Sequence, residues 1–201
     1  MPGLSRPRAS PYEIVAIGSS AGGVKALLAV LGALPADFPV PLAIVQHLDP
    51  RHDTILADIL DRQSRLRIKL AEAGELLEPG VVHVAPPDRH LLVEPGGKLG
   101  LSTVDRVKFV RPSADLLFES VAAVYGPAAL ICVLTGTGSD GAAGAAVVKS
   151  RGGTVVSEDP DTAEFSGMPQ AVTKSVSVDL VLPLEDIAAA LVGLVEGTRT
   201  S

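Results

Sequence analysis

Residues 14–31 restrict this chain to a narrow set of folds. Ile14-Val15-Ala16-Ile17 is a short apolar run that enters Gly18-Ser19-Ser20-Ala21-Gly22-Gly23, after which Val24, Leu27, Leu28 and Leu31 recur at helical spacing. A buried strand, a sharp turn and a helix in direct succession open a βαβ unit. The same order returns along the chain. Strands are expected at 42–46, 81–85, 129–134, 154–157 and 178–182. Helices are expected at 54–63, with Thr54 as N-cap, and at 113–125, 140–150 and 185–195. Glu94-Pro95-Gly96-Gly97, flanked by 91–93 and 98–101, reads as a hairpin. This alternation predicts an α/β fold: a doubly wound, mostly parallel sheet with helices on both faces and a β-hairpin excursion. In such sheets ligands gather outside the carboxyl ends of the strands.

Composition agrees with a doubly covered sheet. Of the 201 residues 47% are apolar, only 3% are aromatic and Trp is absent. The core is therefore expected to be Val, Leu, Ile and Ala, as parallel sheets prefer. One domain is expected over 12–196, with a disordered tail at 1–11 and a short tail at 197–201. The formal charge of −6 argues against nucleic acid as a partner. No apolar run is long enough to span a bilayer, and Arg6 and Arg8 are not followed by a signal-peptide stretch. A cytoplasmic protein without membrane insertion is expected. The single Cys132 lies within an apolar run and reads as a core residue. No metal-ligand pattern is visible, so neither metal nor cofactor is expected.

Three strand ends carry candidate chemistry. Ser20 has Gly18 two residues before it and Gly22 two after, whereas Ser19 has Ile17 and Ala21 there. Glycines on both sides relieve crowding around a strained nucleophile, which favours Ser20. The N–H of Ala21 and the positive end of the following helix then offer an oxyanion site. The same turn also fits close strand–helix packing, or a phosphate loop. Among the four histidines, His47 directly follows a buried strand. His83 falls within a strand, His52 opens a surface helix and His90 precedes a hairpin strand as the runner-up. Asp140 follows the buried run 129–134 and opens a helix, placing a carboxylate where it can orient an imidazole or cap its own helix. Asp49 is too close to His47 in sequence for that geometry. A rival reading uses Gly136, Gly138 and Gly141 as a dinucleotide loop, with Glu158 or Asp159 as the ribose acid.

Taken together, Ile17-Gly18-Ser19-Ser20-Ala21-Gly22-Gly23, Gln46-His47, Ala85-Pro86-Pro87-Asp88-Arg89-His90, Arg111-Pro112-Ser113, Leu134-Thr135-Gly136-Thr137-Gly138-Ser139-Asp140-Gly141-Ala142-Ala143-Gly144 and Gly167-Met168-Pro169 resemble, in this order, the catalytic domain of CheB-type protein-glutamate methylesterases. The resemblance runs from Tyr12 to Leu194. It implies a Ser-His-Asp triad of Ser20, His47 and Asp140, with Ala21, Gly22, Thr137 and Gly138 lining the site. It also implies hydrolysis of glutamate γ-methyl esters on the cytoplasmic helices of methyl-accepting chemoreceptors, and deamidation of glutamine. The family often has Thr where this chain has Ala21, and Met where it has Thr137. Many members carry an N-terminal receiver domain; here about a dozen residues precede the first strand. That implies a stand-alone catalytic domain, either constitutively active or controlled by a separate regulator protein. Arg106, Lys108 and Arg111 lie near the proposed face and read either as an ordinary solvated charge cluster or as contacts for acids flanking the methylated residue. Other readings left open by the residues are a serine esterase or amidase acting on another substrate, and a binding module with a silent site.

Overall fold

The computed structural model describes residues 10–47 and 54–197. The expected terminal tails, apart from their innermost residues, lie outside the described residues, as do Asp49 and His52. Nine strands and six α-helices follow one another over the described residues: β1 (Ile14–Ser19), α1 (Gly23–Ala33), β2 (Leu42–Gln46), α2 (Leu56–Asp61), β3 (Arg67–Leu70), β4 (Val81–Val84), β5 (His90–Glu94), β6 (Lys98–Ser102), α3 (Ala114–Tyr125), β7 (Ala129–Val133), α4 (Ala142–Ser150), β8 (Thr154–Glu158), α5 (Gly167–Ser175), β9 (Leu180–Leu182) and α6 (Leu184–Val195). Seven strands form one sheet in the order β3-β4-β2-β1-β7-β8-β9. Every pairing in it is parallel. Strands β5 and β6 form a separate antiparallel hairpin.

The sheet is covered on both sides, and its strands read accordingly. All residues of β1, β2 and β7 are buried. Val15 and Ile17 join one core with Leu27, Leu31, Ile44 and Leu191; Ile14 and Ala16 join the other with Leu117, Phe118 and Val148. Alternate residues of one strand therefore feed two cores, which is why the strands are continuous apolar runs. Burying both faces of the central strands with aliphatic side chains supplies the main driving force of folding. Cys132 is fully buried in the first of these cores, and burial pushes its thiol pKa up, so it is a packing residue.

The chain leaves β1 outward through β2 and later returns to β7 on the other side of β1. The point where the winding reverses lies between the carboxyl ends of β1 and β7, which is where such sheets hold their ligands. The hairpin does not extend the sheet. It packs on α3, with the Val93 N–H donating to Ser120 Oγ at 2.9 Å.

Three local expectations need correction. The helix expected at 54–63 is the shorter α2; Thr54 Oγ1 accepts the Leu56 N–H at 3.0 Å in a turn ahead of the helix, and Ile55 occupies the capping position. The edge strand β3 has no counterpart among the expected strands, although Arg65-Leu66-Arg67-Ile68-Lys69-Leu70 alternates as a half-exposed strand should. Helix α5 has no counterpart among the expected helices; Pro169 stands in its first turn, where a missing N–H costs nothing. No helix among the described residues is long and apolar enough to cross a membrane.

Candidate active site

The turn from Gly18 to Gly23 is built by close packing behind it. A β-carbon at Gly18 would lie 2.8 Å from the Ala114 Cβ and 3.1 Å from the Phe118 ring. Glycine there lets α3 lie directly against β1. At Gly22, φ is +75°, the left-handed conformation in which the chain turns into α1. Between them the two serines part. Ser19 is wholly buried and its hydroxyl donates to Gln46 Oε1 at 2.7 Å. Ser20 is half-buried at the strand end, its N–H donating to Thr135 O at 3.0 Å. Its carbonyl accepts from Gly23 N at 2.9 Å and from Gln46 Nε2 at 2.8 Å.

Gln46 ties this turn to the next strand end. Its Nε2 also donates to the His47 carbonyl at 2.9 Å, and the His47 N–H donates to Ser19 O at 3.1 Å. Ser20 and His47 thus stand on neighbouring strands, at the same edge of the sheet. The His47 side chain is 13% exposed, and its Nε2 lies 2.8 Å from Asp140 Oδ2.

Asp140 does not cap its own helix, which begins at Ala142 behind Gly141. It caps α3 instead. Its Oδ1 accepts from Ser113 Oγ at 2.8 Å and from Asp115 N at 3.1 Å; its Oδ2 accepts from Ala114 N at 2.6 Å as well as from His47. Burial favours the protonated acid, but the hydrogen bonds from His47, Ala114 and Ser113 and the attraction to His47 outweigh it and bring the carboxyl pKa down to about 2. An ionised carboxylate only accepts, so the imidazole must carry its proton on Nε2. The lone pair is then on Nδ1, the ring nitrogen that Asp140 does not engage.

The low pKa makes a prediction for stability. The folded carboxyl binds its proton less tightly than the unfolded one, so Asp140 stabilises the fold fully above the unfolded pKa near ~4, and this contribution is lost as pH falls towards about 2. Its size is on the order of 2 kcal/mol. Chemical denaturation of the wild type should show this loss of stability over that window. Asp140→Asn should flatten that part of the profile; an unchanged slope would mean that the carboxylate is not the group responsible.

The other histidines are placed differently. His90 is fully buried, with Nε2 3.3 Å from Asp105 O, and its burial lowers its pKa. His83 is buried within β4, its Nδ1 3.1 Å from Glu75 Oε1. Thr137 and Gly138 are exposed in the loop from β7 to α4, while Ala21 and Gly22 are partly exposed at the start of α1. The glycine loop is not open to a dinucleotide: Gly136 N donates to Phe165 O at 2.9 Å, and Gly136 O accepts from Met168 N at 2.8 Å. Glu158 is 2% exposed and gives its Oε2 to the Thr135 N–H at 2.7 Å, which sets it against the role of a ribose acid. Among the described residues no cluster of His, Cys, Asp and Glu is arranged to hold a metal ion.

All three expected surface cations have a carboxylate partner within the protein, and two of them are held closely. Arg111 donates to Asp88 Oδ1 through Nε at 3.0 Å and Nη2 at 2.8 Å, and through Nη1 to the carbonyls of Thr103 and Val104. Lys108 Nζ lies 2.8 Å from the buried Asp115 Oδ2 and donates to Ser139 O at 2.9 Å. Arg106 is 52% exposed, 3.9 Å from Asp88. Val107 and Val110 pair across a two-residue turn, Lys108-Phe109, with φ of 48° and 71°. Positive φ at both positions belongs to the hairpin turn that Asn-Gly favours, so two bulky side chains there carry backbone strain. Phe109 stands 93% exposed at the tip.

Comparison with known proteins sets this arrangement in context. Residues 15–191 match the family described as CheB methylesterase. A Leptospira interrogans protein named putative protein-glutamate methylesterase/protein-glutamine glutaminase is 43% identical over 183 residues, covering 91% of this chain and 95% of its own length. A Moorella thermoacetica protein-glutamate methylesterase/protein-glutamine glutaminase is 43% identical over 194 residues, covering 92% of this chain but 45% of its own length. The crystal structure of the Thermotoga maritima CheB methylesterase catalytic domain superposes with a TM-score of 0.87 at 41% identity, covering 92% of this chain and 99% of that one.

Proposed function

Because this chain belongs to the CheB methylesterase family, we propose that its three convergent strand ends remove the methyl ester from glutamate γ-methyl esters on chemoreceptors. The observation that carries the site assignment is the His47–Asp140 contact at 2.8 Å beside the Ser20 turn. In this reading Ser20 Oγ attacks the ester carbonyl while His47 Nδ1 takes its proton. The tetrahedral oxyanion is held by N–H groups at the start of α1, Ala21 and Gly22, with Thr137 and Gly138 lining the opposite side. The intermediate collapses, the C–OCH3 bond breaks and Nδ1–H returns the proton, so methanol leaves. Water then attacks the acyl-enzyme, gives its proton to Nδ1, and Ser20 departs as the hydroxyl. Asp140 stays ionised throughout and stabilises the imidazolium. A side-chain amide follows the same path, so glutamine deamidation falls within this reading. No cofactor enters any step. The site of action is the cytoplasm, where the receptor helices lie.

The decisive measurement is methanol release from a chemoreceptor cytoplasmic fragment carrying methylated glutamates. Release sustains the reading. Turnover of small esters without release points to an esterase of another substrate, and no turnover of either by folded protein points to a silent site.

The Lys108-Phe109 turn, whose lysine donates to Ser139 O next to Asp140, is the proposed contact for the receptor helix. Lys108 and Arg111 are committed to internal partners, so neutralising them would disturb the loop; Arg106 and Phe109 face outward. Arg106→Ala combined with Phe109→Ala should raise KM on the receptor fragment roughly 10-fold, the scale of one lost aromatic anchor, and leave hydrolysis of a small soluble ester unchanged. Equal effects on both substrates would remove the tip from substrate recognition.

A further inference from the structure

Glu158 ends β8 and is 2% exposed, yet it belongs to none of the three loops that make the proposed triad. Its Oε2 accepts the Thr135 N–H at 2.7 Å. Thr135 is in turn fastened to the nucleophile turn twice: its carbonyl accepts the Ser20 N–H at 3.0 Å, and its hydroxyl donates to the Ala21 carbonyl at 3.1 Å. The hydroxyl also accepts the Phe165 N–H at 2.8 Å. Thr135 lies beyond the end of β7, and the last ladder bond from this strand to β1 is Leu134 N to Gly18 O at 2.9 Å. The N–H of the next residue is met by a side chain reaching across from β8 and not by a strand backbone.

We propose that Glu158 is a positioning residue, which sets the height of Ser20 above the sheet edge by holding Thr135. The inference rests on Ser20 being the nucleophile. It concerns geometry in the transition state, where small misplacements are costly, and not substrate contact. Glu158 lies on the wall of a cleft of about 370 Å³ that also presents Lys25, Glu164 and Glu185. Burial raises its pKa, the Thr135 N–H opposes this, and Glu164 and Glu185 add to the rise. The Thr135 N–H needs one acceptor oxygen, which a side-chain amide also supplies.

The test compares Glu158→Gln with Glu158→Leu on a small ester such as p-nitrophenyl acetate, with rates expressed per folded molecule. The amide oxygen of Gln accepts the Thr135 N–H, so this variant should stay within about 3-fold of wild type. Leu leaves a buried N–H without a partner, and kcat should fall roughly 10–100-fold with KM unchanged. Should the Leu variant not fold, Glu158→Asp draws the carboxylate back by one methylene and should lose kcat in the same direction, with Gln again the better replacement. Full kcat per folded molecule in Leu or Asp overturns the proposal, as does a Gln variant no better than Leu. A wild type inert towards every ester, while folded, would overturn the assignment of Ser20 instead.

Discussion

Replacing Ser20 by alanine should abolish methanol release, lowering kcat by about 10⁴-fold or more, while Ser19→Ala remains an active enzyme. The two residues are adjacent, so the contrast is a strict one. Ser20 has a half-exposed strand-end position beside His47, and its backbone is held from three directions by Thr135, Gly23 and Gln46. Ser19 has no access to substrate: it is wholly buried and its hydroxyl is spent on Gln46 Oε1. Losing that bond should cost about 1 kcal/mol in stability and loosen Gln46, with only a modest fall in rate. Steady-state kinetics on the methylated receptor fragment, together with thermal denaturation of both variants, measures all of this. A dead Ser19→Ala with an active Ser20→Ala would reverse the assignment within the turn.

The second large effect is expected at Asp140. In Asp140→Asn one oxygen becomes an NH2. Turned towards His47 and Ala114, it would set a donor against two donors; turned the other way it meets one, Asp115 N, while Ser113 can rotate to accept. The second orientation wins by hydrogen-bond count, so His47 keeps its Nε2 proton and loses only the negative charge that stabilises its imidazolium. Asp140→Ala loses the orienting bond as well. We therefore expect kcat to fall by about 10³-fold in Asn and about 10⁴-fold or more in Ala, with KM on small esters little changed. An Asn variant retaining a tenth of wild-type kcat would show that the carboxylate's charge is dispensable.

Much of the fold is legible in the sequence because it rests on local signals. Continuous Val, Ile, Leu and Ala runs mark strands buried on both faces, and the turns after them mark where the sheet edge presents side chains. Strand β3 escapes such a reading because its apolar positions are few and its other face is solvent, so its alternation of Arg and Lys with Leu and Ile resembles a surface segment. Helix α5 escapes it because Gly167 and Pro169 discourage a helix everywhere except in its first turn.

The candidate site divides in the same way. Ser20, His47 and Asp140 stand out as strand-end residues, and the glycines around Ser20 separate it from Ser19. What Asp140 does with its second oxygen cannot be read from its neighbours in sequence. Its partners Ser113, Ala114 and Asp115 lie 25–27 positions away and meet it only because Gly18 lets α3 close on β1. In sequence Glu158 resembles a ribose acid because it follows a strand beside a glycine loop. Only the sheet order shows that it reaches sideways under Thr135.

The cradle around Asp140 has one more implication. Two carboxylate oxygens offer about four lone-pair sites, and four donors already occupy them. The acid is coordinatively saturated: a proton arriving there would have to evict a partner, and a water molecule has nowhere to lodge. In the proposed triad, charge would consequently shuttle only as far as the imidazole ring, with the aspartate as a fixed anionic anchor.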